Sequence, residues 1–339
     1  HPHFPYMPKT LLVYILLLFT TTAFSQNYTI SGRITDGKTG EDLPGATILV
    51  SGTNTGASTN NYGFYSLTLP KGTHKIIFRY LGYQEVTQTV TLNKNTTINV
   101  ELIEKSKDIN EVVISAKEEE SRVENKQINV IKLDMQTVKR IPVVFGEVDV
   151  LKIVTMLPGV ISAGEGNSGF SVRGGTQDQN LILLDEATVY NVSHLLGFFS
   201  VFNGDAIKDL DVYKGGIPAQ YGGRLSSLID IRMKDGNNKQ YAATGGLGLL
   251  SSRLTIEGPI VKNKASFIVS GRRSYADVFL PLASAPEAKE SKLYFYDFNA
   301  KINYKLSERD RLFISGYFGR DVFNFSTIFG NSWGNKTAT

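Results

Sequence analysis

Residues 168–224 read SGFSVRGGTQDQNLILLDEATVYNVSHLLGFFSVFNGDAIKDLDVYKGGIPAQYGGR. Short strand-like runs, Phe170–Val172, Leu181–Leu184 and Leu210–Tyr213, alternate there with glycine pairs at Gly174–Gly175, Gly215–Gly216 and Gly222–Gly223. Paired glycines supply positive-φ turns and let backbones approach closely. A domain built this way is stiff, turn-rich and narrow, of a shape that fits inside something else. Its extent is read as 127–236. Two helices are predicted in its first part, a short one at Asp134–Arg140 and a second over Gly146–Met156. In the second, Val150, Leu151 and Val154 line one face, and Pro158-Gly159 stops it.

Downstream, residues 240–339 change to long alternating strands. Tyr294, Tyr296, Phe298, Ala300, Ile302, Tyr304 and Leu306 alternate with Asp297, Asn299, Lys301, Asn303 and Lys305. Ala265, Phe267, Val269 and Gly271 alternate with Ser266, Ser270, Arg272 and Ser274, and Leu250, Leu254 and Ile256 with Ser251, Arg253 and Glu257. These runs exceed the usual soluble strand of about 5–6 residues. Tight connections (Lys262-Asn263-Lys264, Glu308-Arg309-Asp310) alternate with a long one (276–291). Membrane barrels give this rhythm, apolar outside and polar inside. A soluble antiparallel sheet with its apolar side on a core gives the same alternation. At most five strands are expected, and the final GNKTAT reads as a polar tail.

Upstream, residues 27–104 read as a small all-β sandwich. Its runs are Tyr28–Arg33, Ala46–Val50, Phe64–Leu69, His74–Tyr80, Val86–Leu92 and Thr96–Leu102, punctuated by Asp36-Gly37, Leu43-Pro44-Gly45 and Pro70-Lys71-Gly72. Residues 105–126 form a polar linker around an apolar island, Glu111-Val112-Val113-Ile114-Ser115-Ala116. The island is either the last strand of the sandwich or an extended segment able to add to another protein's sheet edge. Residues 1–25 read as a leader and signal peptide. Met7 reads as a start, Leu11–Phe19 is too short to span a bilayer, and Ala23-Phe24-Ser25 fits a cleavage site.

The bulk numbers exclude several classes. The 339 residues carry a net charge of +4 with no basic run, which argues against nucleic acid. There is no cysteine, hence no disulfide framework, thiolate nucleophile or lipoprotein anchor. Sixteen tyrosines and 19 phenylalanines against one tryptophan suit a β-rich protein or one with aromatic girdles. Gly164-Glu165-Gly166-Asn167-Ser168-Gly169 fits GxGxxG, but the strand-like Phe170–Arg173 follows where a helix is required, so it reads as a loop. Asp185 and Glu186, taken as neighbours on a strand, point to opposite faces. The four histidines are scattered, and none has a spacing that pairs it with a carboxylate. No cofactor, metal or catalytic residue is expected.

FGEVDVLKIVTMLPGV (145–160), SVRGG (171–175), DQNLILLD (178–185), VYN (189–191), GFFSVFN (197–203), DAIKDLDVYKGG (205–216) and PAQYGGRLSSLIDI (218–231) together resemble the plug domain of TonB-dependent outer-membrane receptors of the Bacteroidetes type. The residues carrying it are Arg173, Gly174, Gly175, Asp185, Tyr190, Asn191, Lys214, Gly215, Gly216, Tyr221, Gly222, Gly223 and Arg224. SGRITDGKTGEDLPGATILVSGT and NNYGFYSLTLPKGTHKIIFRYLGYQ resemble the carboxypeptidase-regulatory-like domain, a transthyretin-like, Ig-like sandwich of seven strands, without any zinc-ligand set. Residues 245–279 resemble the first strands of the receptor barrel. The family has Gly-Val-Pro or similar where Glu186-Ala187-Thr188 stand here, which leaves that turn open.

The resemblance implies a mainly β protein: a β-sandwich, an α+β plug, then the start of an antiparallel membrane barrel of roughly 22 strands, so that the chain is an N-terminal fragment. It implies no enzyme but active import across the bacterial outer membrane, with the N-terminal domain in the periplasm. Glu111–Ala116 would be the TonB box, pulled by TonB with its inner-membrane motor proteins. Arg173 and Arg224 would face barrel-wall glutamates; on composition alone they read as surface residues. Expected partners are outer-membrane lipid, an imported ligand (siderophore, glycan, peptide or similar) and, for glycan importers, a surface lipoprotein. The alternative is a secreted β-rich adhesion or scaffold protein.

Overall fold

A computed structural model of the chain describes residues 26–105, 130–138, 149–164, 168–282, 289, 291–307, 310–325 and 329–339. The leader, the linker and the Glu111–Ala116 island lie outside the described residues. The chain divides into two compact units, the first holding His1–Thr35 and Asp42–Glu124, the second Asn125–Thr339 together with Asp36–Glu41.

The first unit holds β1 (Asn27–Asp36), β2 (Thr47–Val50), β3 (Gly56–Ser58), β4 (Phe64–Pro70), β5 (Gly72–Arg79), β6 (Val86–Leu92), β7 (Thr96–Thr97) and β8 (Val100–Leu102). One sheet runs β4-β1-β7 with β8 also on β1, and the other runs β3-β2-β5-β6. Alternation sets the faces: in β4, Tyr65, Leu67 and Leu69 are buried while their neighbours are exposed. They meet Ile30, Ile34, Ile48, Ile76 and Phe78 in one core between the sheets. The expected strand Thr96–Leu102 is in fact two short pieces, because Ile98 leaves the ladder with its N–H on Ser31 O and its carbonyl on the Tyr65 hydroxyl.

In the second unit a mixed five-stranded sheet is built from β9 (Val130–Asp134), β12 (Asn180–Leu184), β13 (Ala187–Thr188), β16 (Ile207–Tyr213) and β17 (Ser227–Met233), in the order β13-β12-β17-β16-β9. β12 and β17 run parallel. Helices α1 (Met135–Val138) and α2 (Val150–Val154) cover one face. Hairpins β10 (Val160–Ser162) with β11 (Phe170–Val172), and β14 (Ser193–His194) with β15 (Phe199–Ser200), extend from the sheet. The second helix is shorter than predicted. Asp134 ends β9 rather than opening α1. α2 starts at Val150 because Asp149 caps it, accepting from Leu151 N and Lys152 N.

The C-terminal sheet is a six-stranded antiparallel meander: β18 (Ala242–Leu247), β19 (Ser251–Val261), β20 (Ala265–Ser274), β21 (Lys292–Lys305), β22 (Arg311–Phe325) and β23 (Phe329–Ala338). Among the described residues there are six strands, not five, and the supposed polar tail forms half of the sixth. Pairing such as Gly316↔Ala338 and Phe318↔Lys336 holds a Gly- and Asn-rich segment extended despite its weak strand preference.

The burial of this sheet is inverted relative to a soluble protein. Its polar side is buried: Ser270 is 0% exposed, Arg272 4%, Asp297 3%, Lys301 5% and Asp321 2%. Its apolar side is open: Leu254 is 54% exposed, Ile256 43%, Phe298 46%, Ile302 48% and Ile314 60%. A soluble sheet packing its greasy side on a core is therefore excluded. Among the described residues no helix is long and apolar enough to cross a membrane.

Candidate functional site

The buried polar side of the C-terminal sheet packs on the glycine-punctuated domain, and the contacts form a ladder of polar pairs across four strands. On β19, Arg253 Nε donates to Asp205 at 2.6 Å. On β20, Ser270 Oγ accepts from Asn203 Nδ2 and shares a hydrogen bond with Thr255, both at 2.7 Å. Arg272 donates to Ser200 O at 2.7 Å and holds Asp297 of β21 through Nε at 2.8 Å. Lys301 of β21 lies 3.2 Å from Asp185 Oδ2 and 3.1 Å from Asp235, and donates to Met233 O. Each wall residue belongs to the polar register of its strand, so the period-two pattern aims all of them at the same partner.

His194 sits at the centre of this ladder. Its Nδ1 is 2.8 Å from Asp321 and its Nε2 3.3 Å from Asp297, while Asp321 also accepts from Leu195 N at 2.8 Å. The ring stacks on Phe295 with centroids 4.2 Å apart, and the Arg272 guanidinium lies 5.0 Å from the same ring. Burial favours the neutral imidazole, but hydrogen bonds to Asp297 and Asp321 outweigh it and raise the His194 pKa above its ordinary 6.5. Contrary to the sequence expectation, this histidine has two carboxylate partners. Both are more than 100 residues away in the chain, a separation at which spacing carries no signal. The backbone around it is strained: Leu195 and Leu196 have φ of 48° and 59°.

The Asp185-Glu186 step is also not what strand logic predicts. Both residues have positive φ, 45° and 70°, and form the two-residue turn joining β12 to β13. The turn supplies what Glu186-Ala187-Thr188 left open. It buries Asp185, whose Oδ1 accepts from Met233 N at 2.9 Å, and leaves Glu186 exposed.

The remaining motif residues gather at the other end of β12. Arg173 is exposed, with φ 48°, and its side chain runs beside Gly159 and Gly215. Gly174, Gly215, Gly216 and Gly223 have positive φ. A Cβ on Gly175 would stand 2.3 Å from Ser226 Oγ, so the RGG turn and the strand after YGGR close on each other only through glycine. Lys214 Nζ donates to Pro158 O at 2.8 Å. Tyr221 packs 6.4 Å from Tyr213, whereas Gly222 and Arg224 are exposed. Tyr190 is 82% exposed, and the Asn191 carbonyl accepts from Asn335. The wall acids Asp297 and Asp321 take Arg272 and His194. No group of side chains among the described residues could hold a metal.

On its far face the central sheet carries one arginine among three aspartates. Arg232 lies 2.5 Å from Asp209 and 3.1 Å from both Asp211 and Asp230. Burial, with Asp211 and Asp209 alongside, pushes Asp230 up to about 6 against the pull of Arg232.

Two family models match the chain. Residues 30–114 match the CarboxypepD_reg-like domain and residues 137–227 the TonB-dependent Receptor Plug Domain. TonB-dependent receptor P3 of Formosa agariphila is 32% identical over 106 residues, 31% of this chain and 10% of that protein. TonB-dependent receptor SusC of Bacteroides thetaiotaomicron is 28% identical over 269 residues, 73% of this chain and 25% of that protein. The chain thus spans no more than a quarter of these curated relatives. Among solved structures, the outer membrane transporter YddB from Escherichia coli aligns with 62% of this chain and 36% of its own, at 14% identity and a TM-score of 0.44. With a CarboxypepD_reg-like sandwich, then a TonB-dependent receptor plug domain, then long antiparallel strands whose polar side is buried, the chain is similar to TonB-dependent receptors such as SusC.

Proposed function

We propose that this protein imports a ligand across the bacterial outer membrane, with residues 127–236 as the gate and 240–339 as part of the barrel wall. The observation that carries this reading is the inverted sheet, which turns Leu254, Phe298, Ile302 and Ile314 outward and closes its polar side over the plug. In lipid such an exterior is at rest; in water it would associate or aggregate. That same exterior weighs against a secreted scaffold, which would stay out of the membrane fraction. The protein is a transporter and not an enzyme.

The character of the plug–wall contact suits a gate that opens. It is made of hydrogen bonds and ion pairs, with apolar contact mainly at Phe295 and Tyr317. Polar groups exposed during opening are taken up by water. An apolar seal of equal area would oppose opening by about 25 cal/mol per Å². TonB, driven by its inner-membrane motor, adds a strand to Glu111–Ala116 and pulls the plug from the periplasmic side. Arg173 and Arg224 serve as further plug contacts to the wall, and the sandwich lies in the periplasm. The imported ligand enters from outside, with a surface lipoprotein as partner if it is a glycan. Deleting Glu111–Ala116 in the receptor should abolish uptake and leave ligand binding at the cell surface intact. Normal uptake by that deletion removes the proposed role of the segment.

A further inference from the structure

The chain passes from plug to wall once, through residues 234–241, between the end of β17 at Met233 and the start of β18 at Ala242. Movement of the plug against the wall turns about this joint or strains it. The wall holds one side of the joint. Ser266 Oγ donates to Asp235 O at 2.6 Å, Asn237 N to Glu257 Oε2 at 3.1 Å and Asn263 N to Asn238 O at 2.9 Å. Its other side is held by six residues from far upstream. Asp36–Glu41 follows β1 in the chain, yet it packs within the second unit. Glu41 Oε1 accepts from Asp235 N at 2.7 Å and from Gly236 N at 3.2 Å. Thr39 O accepts from Asn238 N at 2.9 Å, Gly40 O from Asn238 Nδ2 at 3.3 Å and Gly37 O from Lys239 Nζ at 2.8 Å.

Local chemistry shapes the loop for this contact. Asp36 Oδ1 accepts from Lys38 N at 2.6 Å and Thr39 N at 3.1 Å, and Gly40 N returns to Asp36 O at 2.8 Å. An aspartate that bonds the backbone two and three residues on sets the turn by itself. Gly40 has φ +75°, and a Cβ there would stand 2.1 Å from Asn238 Oδ1, so loop and joint close on each other through glycine. All five contacts are hydrogen bonds. Such bonds exchange for water when they part, so the contact can hold at rest and come undone under load without exposing apolar surface. Chain order supplies the load. Glu111–Ala116 lies between the loop and the joint in the sequence, so tension on it reaches the loop from one side and the plug from the other.

We propose that Asp36–Glu41 is a clasp on the plug–wall joint, which keeps the gate shut until tension draws it off Asp235–Lys239. The inference rests on the import reading above, and its test needs neither ligand nor TonB. The protein has no cysteine, so Thr39→Cys with Asn238→Cys gives a single pair for an oxidative cross-link across the clasp. The full receptor, purified from membranes, is set in a planar lipid bilayer, and potassium chloride current is followed as urea is raised. The oxidised pair should need more urea to conduct than the same protein after reduction, a comparison between two forms of one folded variant. Glu41→Ala should conduct at lower urea than the wild type and should speed amide exchange at Gly236, relative to its intrinsic rate, at least about tenfold. Glu41→Gln keeps an acceptor oxygen and should fall between the two. Equal urea thresholds for the oxidised and reduced pair overturn the proposal, as does a pair that does not cross-link, or unchanged exchange at Gly236 in Glu41→Ala. A wild-type receptor that never enters the bilayer counts against the outer-membrane reading itself.

Discussion

Lys301→Met tests whether the plug is fastened to the wall by buried charge. Lys301 is 5% exposed and serves Asp185, Asp235 and the Met233 carbonyl at 3.1–3.3 Å. Methionine keeps most of the stem but takes away the charge, leaving a buried carboxylate without its cation, at a cost of about 3–5 kcal/mol. Asp185→Asn should cost less, about 1–2 kcal/mol, since Lys301 keeps Asp235 and the amide oxygen can still accept from Met233 N. In the double variant the orphaned carboxylate is gone, so its destabilisation should fall about 2–3 kcal/mol short of the sum of the singles. The assay is urea unfolding of the detergent-solubilised receptor, with amide exchange at Met233 as the local readout. Additivity within about 0.5 kcal/mol would refute the reasoning, because it would mean that Lys301 and Asp185 do not interact across the interface.

Three further outcomes are expected. Since its folded pKa is raised above 6.5, protonated His194 contributes fully below pH 6.5 and loses that contribution as pH rises through the folded value. Exchange at Leu195 N–H, relative to its intrinsic rate, should speed up over that rise, and Asp321→Asn should flatten the profile; an unchanged wild-type profile would show that His194 is not the switching group. For Asp230, raised to about 6 from 3.8, the charged form is disfavoured by folding. Asp230→Asn should therefore stabilise the plug at pH 8 by about 1–3 kcal/mol, with the gain shrinking as pH falls below 6, and destabilisation at pH 8 would contradict the crowding of three carboxylates around Arg232. Gly236→Ala would put a Cβ 2.4 Å from Phe267 O at φ +81°, and should lower stability by about 2–4 kcal/mol in the same unfolding assay; a loss under about 0.5 kcal/mol would mean the backbone yields there.

Local pattern made much of the architecture legible. Period-two alternation in residues 294–306 sorted the wall into two faces, and glycine pairs marked the turns of the plug at the right places. Errors came where local rules compete with pairing. The Gly- and Asn-rich end reads as a tail until β22 supplies a partner for its backbone. Asp185-Glu186 reads as strand until the return to β13 forces both residues to positive φ. The helix over Gly146–Met156 was overextended because a hydrophobic face does not show that Asp149 turns its carboxylate onto the first turn.

What the sequence by itself determined is the order of the domains, the family likeness and which side of each wall strand is greasy, since each depends on residues close together in the chain. Which side is buried was left open by it, because the same alternation serves a soluble core and a lipid exterior. Only the tertiary structure decided that, by folding the plug against the polar side. It also decided the fastening of plug to wall: His194 with Asp297 and Asp321, and Asp185 with Lys301, meet across more than 100 residues of chain. Charges bind by distance in space, and distance along the chain says nothing of it until the strands have paired.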